Sequence, residues 1–190
     1  MEKKRVVITG MGTVNPLGKS VSETWDTLMR KESGITSITR FDASHLATQI
    51  AGEVKDFDYT HYFDENMRKK AKRMDTFCHY AAAAMVEAAD QAKLSEIKNK
   101  QRIGISVGSG IGGLNVQHNN SAALAQKGPR RVSPFYIPMS IGNMASGVIS
   151  IMYGLTGPNL SLQTACATAN HSIASGMMII QNGMADMMVA

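Results

Sequence analysis

Cysteine occurs only twice in 190 residues, while methionine occurs 14 times. Two cysteines cannot build a disulfide framework, and this usage fits a reducing, cytoplasmic setting. No run of about 18 apolar residues occurs, so no membrane span is expected. The opening "MEKKR" leads straight into a short apolar stretch, too brief for the apolar core of a secretion signal. Aromatic residues make up 6% and no nucleic-acid motif is present, which argues against a nucleic-acid partner. There are no repeats of solenoid period and no low-complexity tract. No metal site and no cofactor are expected.

What is present reads as a globular chain. Hydrophobic residues reach 44% and charged residues 18%, and 190 residues suffice for a real core. The net charge of +5 is moderate, but it is unevenly placed. "MRKKAKRM" (67–74) carries five basic residues and "KGPRR" (127–131) carries three. These are either solvated faces or a docking surface for an acidic partner.

Apolar runs alternate with helical patterns. "RVVITG" (5–10), "RIGISVGSG" (102–110), "NLSLQT" (159–164) and "ADMMVA" (185–190) read as strands, the first two buried on both faces. Ser20 and Glu23 form a capping box for a helix with Trp25, Leu28 and Met29 on its apolar stripe, closed by Gly34. A long helical region is expected over 64–94, with further helices over 115–126, 140–153 and 167–181. Residues 35–62 read as irregular with short strands, and the proline-marked 128–138 as an extended loop. This order predicts an α/β fold with a largely parallel sheet. A strand at 185–190 with nothing following to cover it leads us to expect a longer natural protein.

"GSGIGG" (108–113) follows a strand and satisfies a dinucleotide-binding spacing. That reading also needs an acidic residue ending a second strand about 20 residues on, and the sequence there is "LAQKGPRR". The better reading is a backbone that passes close to another element or a ligand, with Ile111 the only large side chain.

Cys166 lies in "SLQTACATANHSIASGM" (161–177), between a strand and a helix. Such a turn projects its residue outward, and its small neighbours allow a sharp bend. The free N–H groups and dipole of a helix start favour negative charge, which suits a thiolate and an oxyanion. Equally, an unpaired cysteine between strand and helix can be plain core packing. The nearest base, His171, falls about 140° around the helix from Cys166 and so should point away. His45, His61, His79 and His118 sit in no recognisable site, and Cys78 reads as core.

Taken together, "VVITGMGTVNPLG", "GSGIGG", "GPRRVSPFYIP", "MYGLTGPNLSLQTACATANHSI" and "ADMMVA" resemble the β-ketoacyl-[acyl carrier protein] synthases, type II elongation enzymes most closely. The resemblance runs from Arg5 to Ala190 and covers about the first half of such an enzyme. It implies a thiolase-like five-layer αβαβα fold, of which residues 1–190 supply an incomplete N-terminal half. It implies that Cys166 takes an acyl group from acyl carrier protein and that the enolate from malonyl carrier protein then attacks it. Ile111 matches a position that gates the acyl pocket. Tyr136 stands where many relatives have Phe, a residue reaching across a dimer interface. Lys72, Arg73, Arg130 and Arg131 fall where relatives hold the acidic carrier protein. A cytoplasmic homodimer is implied. The family's catalytic histidines, its lysine and its second oxyanion donor belong to the later half, so residues 1–190 alone are expected to be inactive. Two other readings stay open: a coenzyme A-dependent, thiolase-like acyltransferase, and a non-catalytic partner resembling a chain-length factor.

Overall fold

Residues 4–190 are described by the computed structural model. Three short parallel strands lie at its centre in the order β4–β3–β5: β3 (Ile103–Ser106) between β4 (Asn159–Leu160) and β5 (Met187–Val189). Every residue of β3 is buried. Its run of apolar residues without alternation follows from that position, because a strand covered on both faces meets apolar neighbours on each. Ile103 and Ile105 pack with Met85 and Ala89 of α3 (Thr76–Gln91), Ile149 of α6 (Met144–Tyr153), Leu94 and Leu155. A second cluster joins Phe63, Met67 and Ala71 to Ala82 and Val148, so that α2 (Glu65–Ala71) closes over the other side of α3 and α6.

The remaining elements are α1 (Val21–Met29), an antiparallel pair of β1 (Ile35–Ser37) and β2 (Ile50–Gly52), α4 (Leu114–Lys127), α5 (Tyr136–Ser140) and α7 (Thr168–Gln181). The α/β class and the parallel sheet agree with the sequence pattern. So does a helix over 114–127. α6 and α7 are followed by left-handed Gly154 and Gly183.

Several expectations fail for local reasons. Residues 5–10 form no strand, and Val7 and Ile8 are 60% and 78% exposed. Both edges of β3 are taken by β4 and β5, so the segment finds no ladder on it. It runs over α3 instead, where Gly10 and Gly12 approach the carbonyls of Ala88 and Ala84 closely enough to exclude a Cβ. Side chains of α3 accept its amides: Met11 N–H donates to Gln91 Oε1 at 3.0 Å and Thr13 N–H to Glu87 Oε2 at 3.1 Å. An apolar hollow of about 680 Å³ remains between this segment, α3, α7 and β5.

The capping box is half formed. Ser20 Oγ accepts the Glu23 N–H, but Glu23 reaches the N–H of Lys19. The stripe of Trp25, Leu28 and Met29 stays exposed, and the turn after α1 uses a left-handed Lys31, not Gly34. The long helical region breaks at 72–75 because it has two start signals. Asp64 Oδ1 caps α2 by accepting the Met67 N–H, and extended Asp75 begins α3. Asp75 does not cap its own helix. Its buried carboxylate accepts the Val116 N–H at 2.9 Å and so closes the start of α4. The strand at 159–164 shrinks to two residues, and a short helix, α5, starts in the loop 128–138 and runs on to Ser140.

His79 is buried on α3 with its ring stacked 4.1 Å from that of Tyr59. Its Nε2–H donates to the Ala71 carbonyl at 2.8 Å. Burial lowers its pKa below the ordinary value. The unfolded chain therefore takes up a proton near about pH 6.5 that the folded chain refuses, so folding weakens as pH falls. The urea midpoint of the full-length protein is expected to drop between pH 7.5 and 5.5. His79→Gln should flatten that slope, and an equal slope in the variant would count against His79 as its source.

Candidate active site

β4 runs out at Leu160, and after four intervening residues the chain makes a 3-10 turn, Ala165–Ala167, that opens into α7. Ala165 is left-handed, with φ of 51°. A non-glycine residue there is strained by roughly 1–2 kcal/mol and has to be held by its surroundings. Cys166 follows directly and is exposed, whereas Cys78 is buried in α3. Burial, reinforced by the charge of Asp75, pushes the Cys78 thiol up to about 12. Of the two thiols, Cys78 is therefore the inert core residue, and Cys166 is the one open to a reactant.

The turn is tied by hydroxyl groups. Thr168 Oγ1 accepts the Thr164 N–H at 2.9 Å and donates to the Ala165 carbonyl at 2.8 Å. Thr164 Oγ1 lies 2.7 Å from His171 Nδ1. Among the described residues no hydrogen bond joins His171 to Cys166.

The glycine loop after β3 lies against this turn. A Cβ on Gly108 would sit 2.0 Å from the Leu162 carbonyl oxygen and 2.5 Å from Thr168 Cγ2. Two residues on, Gly110 comes beside Ala165. The backbone approach inferred from "GSGIGG" is thus an approach to the cysteine turn. Ile111 stands on this loop, 66% exposed. The far end of the loop is held by α5, where Gly113 N–H donates to the Ser140 carbonyl at 2.8 Å. Tyr136, half-buried, begins α5. One continuous frame therefore carries Cys166, Ile111 and Tyr136.

Lys72 and Arg73 are exposed at the bend between α2 and α3, and Arg130 and Arg131 in the turn Pro129–Arg131. The Arg73 guanidinium sits 4.3 Å over the ring of Phe135, a contact that holds the bend against the 129–135 segment. The pair ties the first basic run to Phe135, four residues beyond the second. Among the described residues none of the four cations forms a salt bridge. Nor do any three His, Cys, Asp or Glu residues gather as metal ligands.

Sequence reading passed over Thr168, Phe135 and Asp75. Thr168 had a local signal, a threonine at a helix start two residues after the cysteine. Asp75 and Phe135 had none, because their partners are distant in the chain.

The sequence matches the family model "Beta-ketoacyl synthase, N-terminal domain" over residues 3–190. The chain belongs to the beta-ketoacyl synthase family. It is 48% identical to the 3-oxoacyl-[acyl-carrier-protein] synthase 2 of Synechocystis sp., over 100% of its own length and 45% of that protein's. Identity to the synthase 2 of Vibrio harveyi is 46% with the same coverage. The chain thus spans about half the length of the curated relatives it matches. Among solved structures, the ishigamide ketosynthase/chain length factor superposes with a TM-score of 0.83 at 26% identity, covering 97% of this chain and 46% of that one. A beta-ketoacyl synthase from Burkholderia phymatum gives 0.79 at 22% identity, covering 96% and 45%. The fold is the thiolase-like α/β fold of the ketosynthases, and the chain covers its N-terminal half. No helix among the described residues is long and apolar enough to cross a membrane.

In this family member the glycine loop and the cysteine turn share one packed contact. Gly108→Ala should therefore disturb both. The extra methyl meets backbone on one side, and overpacking of this kind destabilises by about 1–3 kcal/mol. Urea unfolding of the full-length protein should show that loss, together with an altered alkylation rate of Cys166. An unchanged alkylation rate would mean that the two segments are not coupled.

Proposed function

We propose that the full-length protein is a 3-oxoacyl-[acyl carrier protein] synthase of fatty acid chain elongation. The observation that carries this reading is the exposed Cys166 on a strained turn at a helix start, in a chain whose curated relatives are synthases of that name. The Cys166 thiolate attacks the carbonyl carbon of an acyl thioester on the carrier protein. The tetrahedral oxyanion collapses with expulsion of the carrier's thiolate, leaving the acyl group on Cys166. Malonyl carrier protein then loses CO2, and the electron pair of the broken bond becomes an enolate. The enolate attacks acyl-Cys166, a new carbon–carbon bond forms, and the Cys166 thiolate leaves. The product is a 3-oxoacyl carrier protein two carbons longer. A soft thiolate suits both halves, because it attacks a thioester readily and departs readily.

Cys166 is assigned as nucleophile, with its backbone N–H as one oxyanion donor. Ile111 and Tyr136 are assigned to the acyl chain, Ile111 from the loop beside the turn and Tyr136 from the helix that anchors that loop. Lys72, Arg73, Arg130 and Arg131 are assigned to docking of the acidic carrier protein. Their exposure and the pairing of Arg73 with Phe135 support one shared surface. Because no histidine of the described residues hydrogen-bonds Cys166, the reading assigns the base and the second oxyanion donor to residues outside 1–190. The working form is read as a cytoplasmic homodimer needing no metal or cofactor.

Incubating the full-length protein with an acyl carrier thioester should add the acyl mass to the peptide holding Cys166. Cys166→Ala should remove that adduct and abolish condensation, and persisting condensation would refute the assignment. Reversing Arg130 and Arg131 to Glu should raise KM for carrier-linked thioesters about tenfold while leaving coenzyme A thioesters within about twofold, since complementary charge acts on encounter with the acidic partner. Equal losses on both substrates would remove the docking role.

A further inference from the structure

The peptide between Ala165 and Cys166 is trans, as are all the described peptide bonds, and a trans peptide is planar with its C=O and N–H pointing in opposite directions. Whatever holds the Ala165 carbonyl therefore aims the Cys166 N–H. The hydroxyl of Thr168 holds it, donating at 2.8 Å, and the same oxygen accepts the Thr164 N–H at 2.9 Å. Thr168 is only 6% exposed, and its Cγ2 is wedged against Gly108 in the space left by the missing Cβ. The hydroxyl is thus fixed from two sides, by its own pair of hydrogen bonds and by the packing of its methyl. Among the described residues it makes no hydrogen bond to Cys166.

We propose that Thr168 is a positioning residue for acyl transfer: its hydroxyl locks the left-handed Ala165 and thereby turns the Cys166 N–H outward as an oxyanion donor. The inference rests on the reading of Cys166 as nucleophile. It adds a residue that acts through the backbone and not through the thiol.

Thioester attack and simple alkylation separate these effects. Attack on a thioester passes through an oxyanion, whereas displacement of iodide from iodoacetamide does not. Both are measured on the full-length protein, as mass added at Cys166 over time, for Thr168→Val, Thr168→Ala and Thr168→Ser. Losing one oxyanion donor costs about 10²–10³ in rate, so a misaimed donor should slow acylation in the Val and Ala variants by about 10–100-fold. The loss is expected in the acylation rate constant and not in KM. Iodoacetamide alkylation should stay within about threefold, since that reaction makes no demand on the donor. Thr168→Ser keeps the hydroxyl and should restore acylation.

Unchanged acylation in both hydroxyl-free variants overturns the inference and leaves the proposed function standing. Equal losses of acylation and alkylation, failure of Ser to rescue, or loss of cooperative folding in both hydroxyl-free variants would make Thr168 a structural residue and also overturn it. No acylation of Cys166 in the unsubstituted protein overturns the proposed function and this inference with it.

Discussion

Gly108 passes so near the Leu162 carbonyl and the Thr168 methyl that no side chain fits between them. That contact ties the end of the central strand to the start of α7. On one side of it β3 is buried along its whole length, which anchors the loop in the core. On the other side lies a turn whose left-handed Ala165 would relax in a looser setting. Packing this tight transmits position faithfully, because a close-packed interior does not deform smoothly. The exposed cysteine can therefore be reactive and well placed together. Its backbone is held by buried neighbours while its thiol faces outward.

The part of this arrangement that was legible in the sequence is the part with local causes. The burial of β3 shows in an apolar run without alternation. The glycines of 108–113 show that a backbone must come close to something, and the small residues around Cys166 show a turn. The left-handed ends of α6 and α7 follow from Gly154 and Gly183. The misreadings arise where a local pattern has more than one tertiary outcome. "RVVITG" has the composition of a buried strand, but a strand is defined by a free edge to pair with, and composition carries no record of edges. The stripe on α1 has the right spacing for burial, yet spacing does not say whether a partner lies opposite. The region 64–94 has helical periodicity throughout, and only Asp75, a second start signal after Asp64, marks the break within it.

The basic surface is a case between these. Each run is plain in the sequence, but runs of like charge normally keep apart. Here Arg73 rests on the Phe135 face, an attraction that needs no counter-charge. An aromatic ring just beyond the second run thus anchors the first, and neither sequence neighbourhood discloses it.

Asp75 stands at the start of one helix and serves the first turn of another, its partner amide lying 41 residues further on. α4 begins at a glycine and has no side chain of its own to accept its first amides. Its start is therefore written elsewhere in the chain. Residues 108–127 are not a portable module: transplanted into another scaffold without the 72–76 bend, the glycine loop would lose the fixed point at which it turns into a helix. In this protein the loop and the bend can be exchanged between relatives only as a pair.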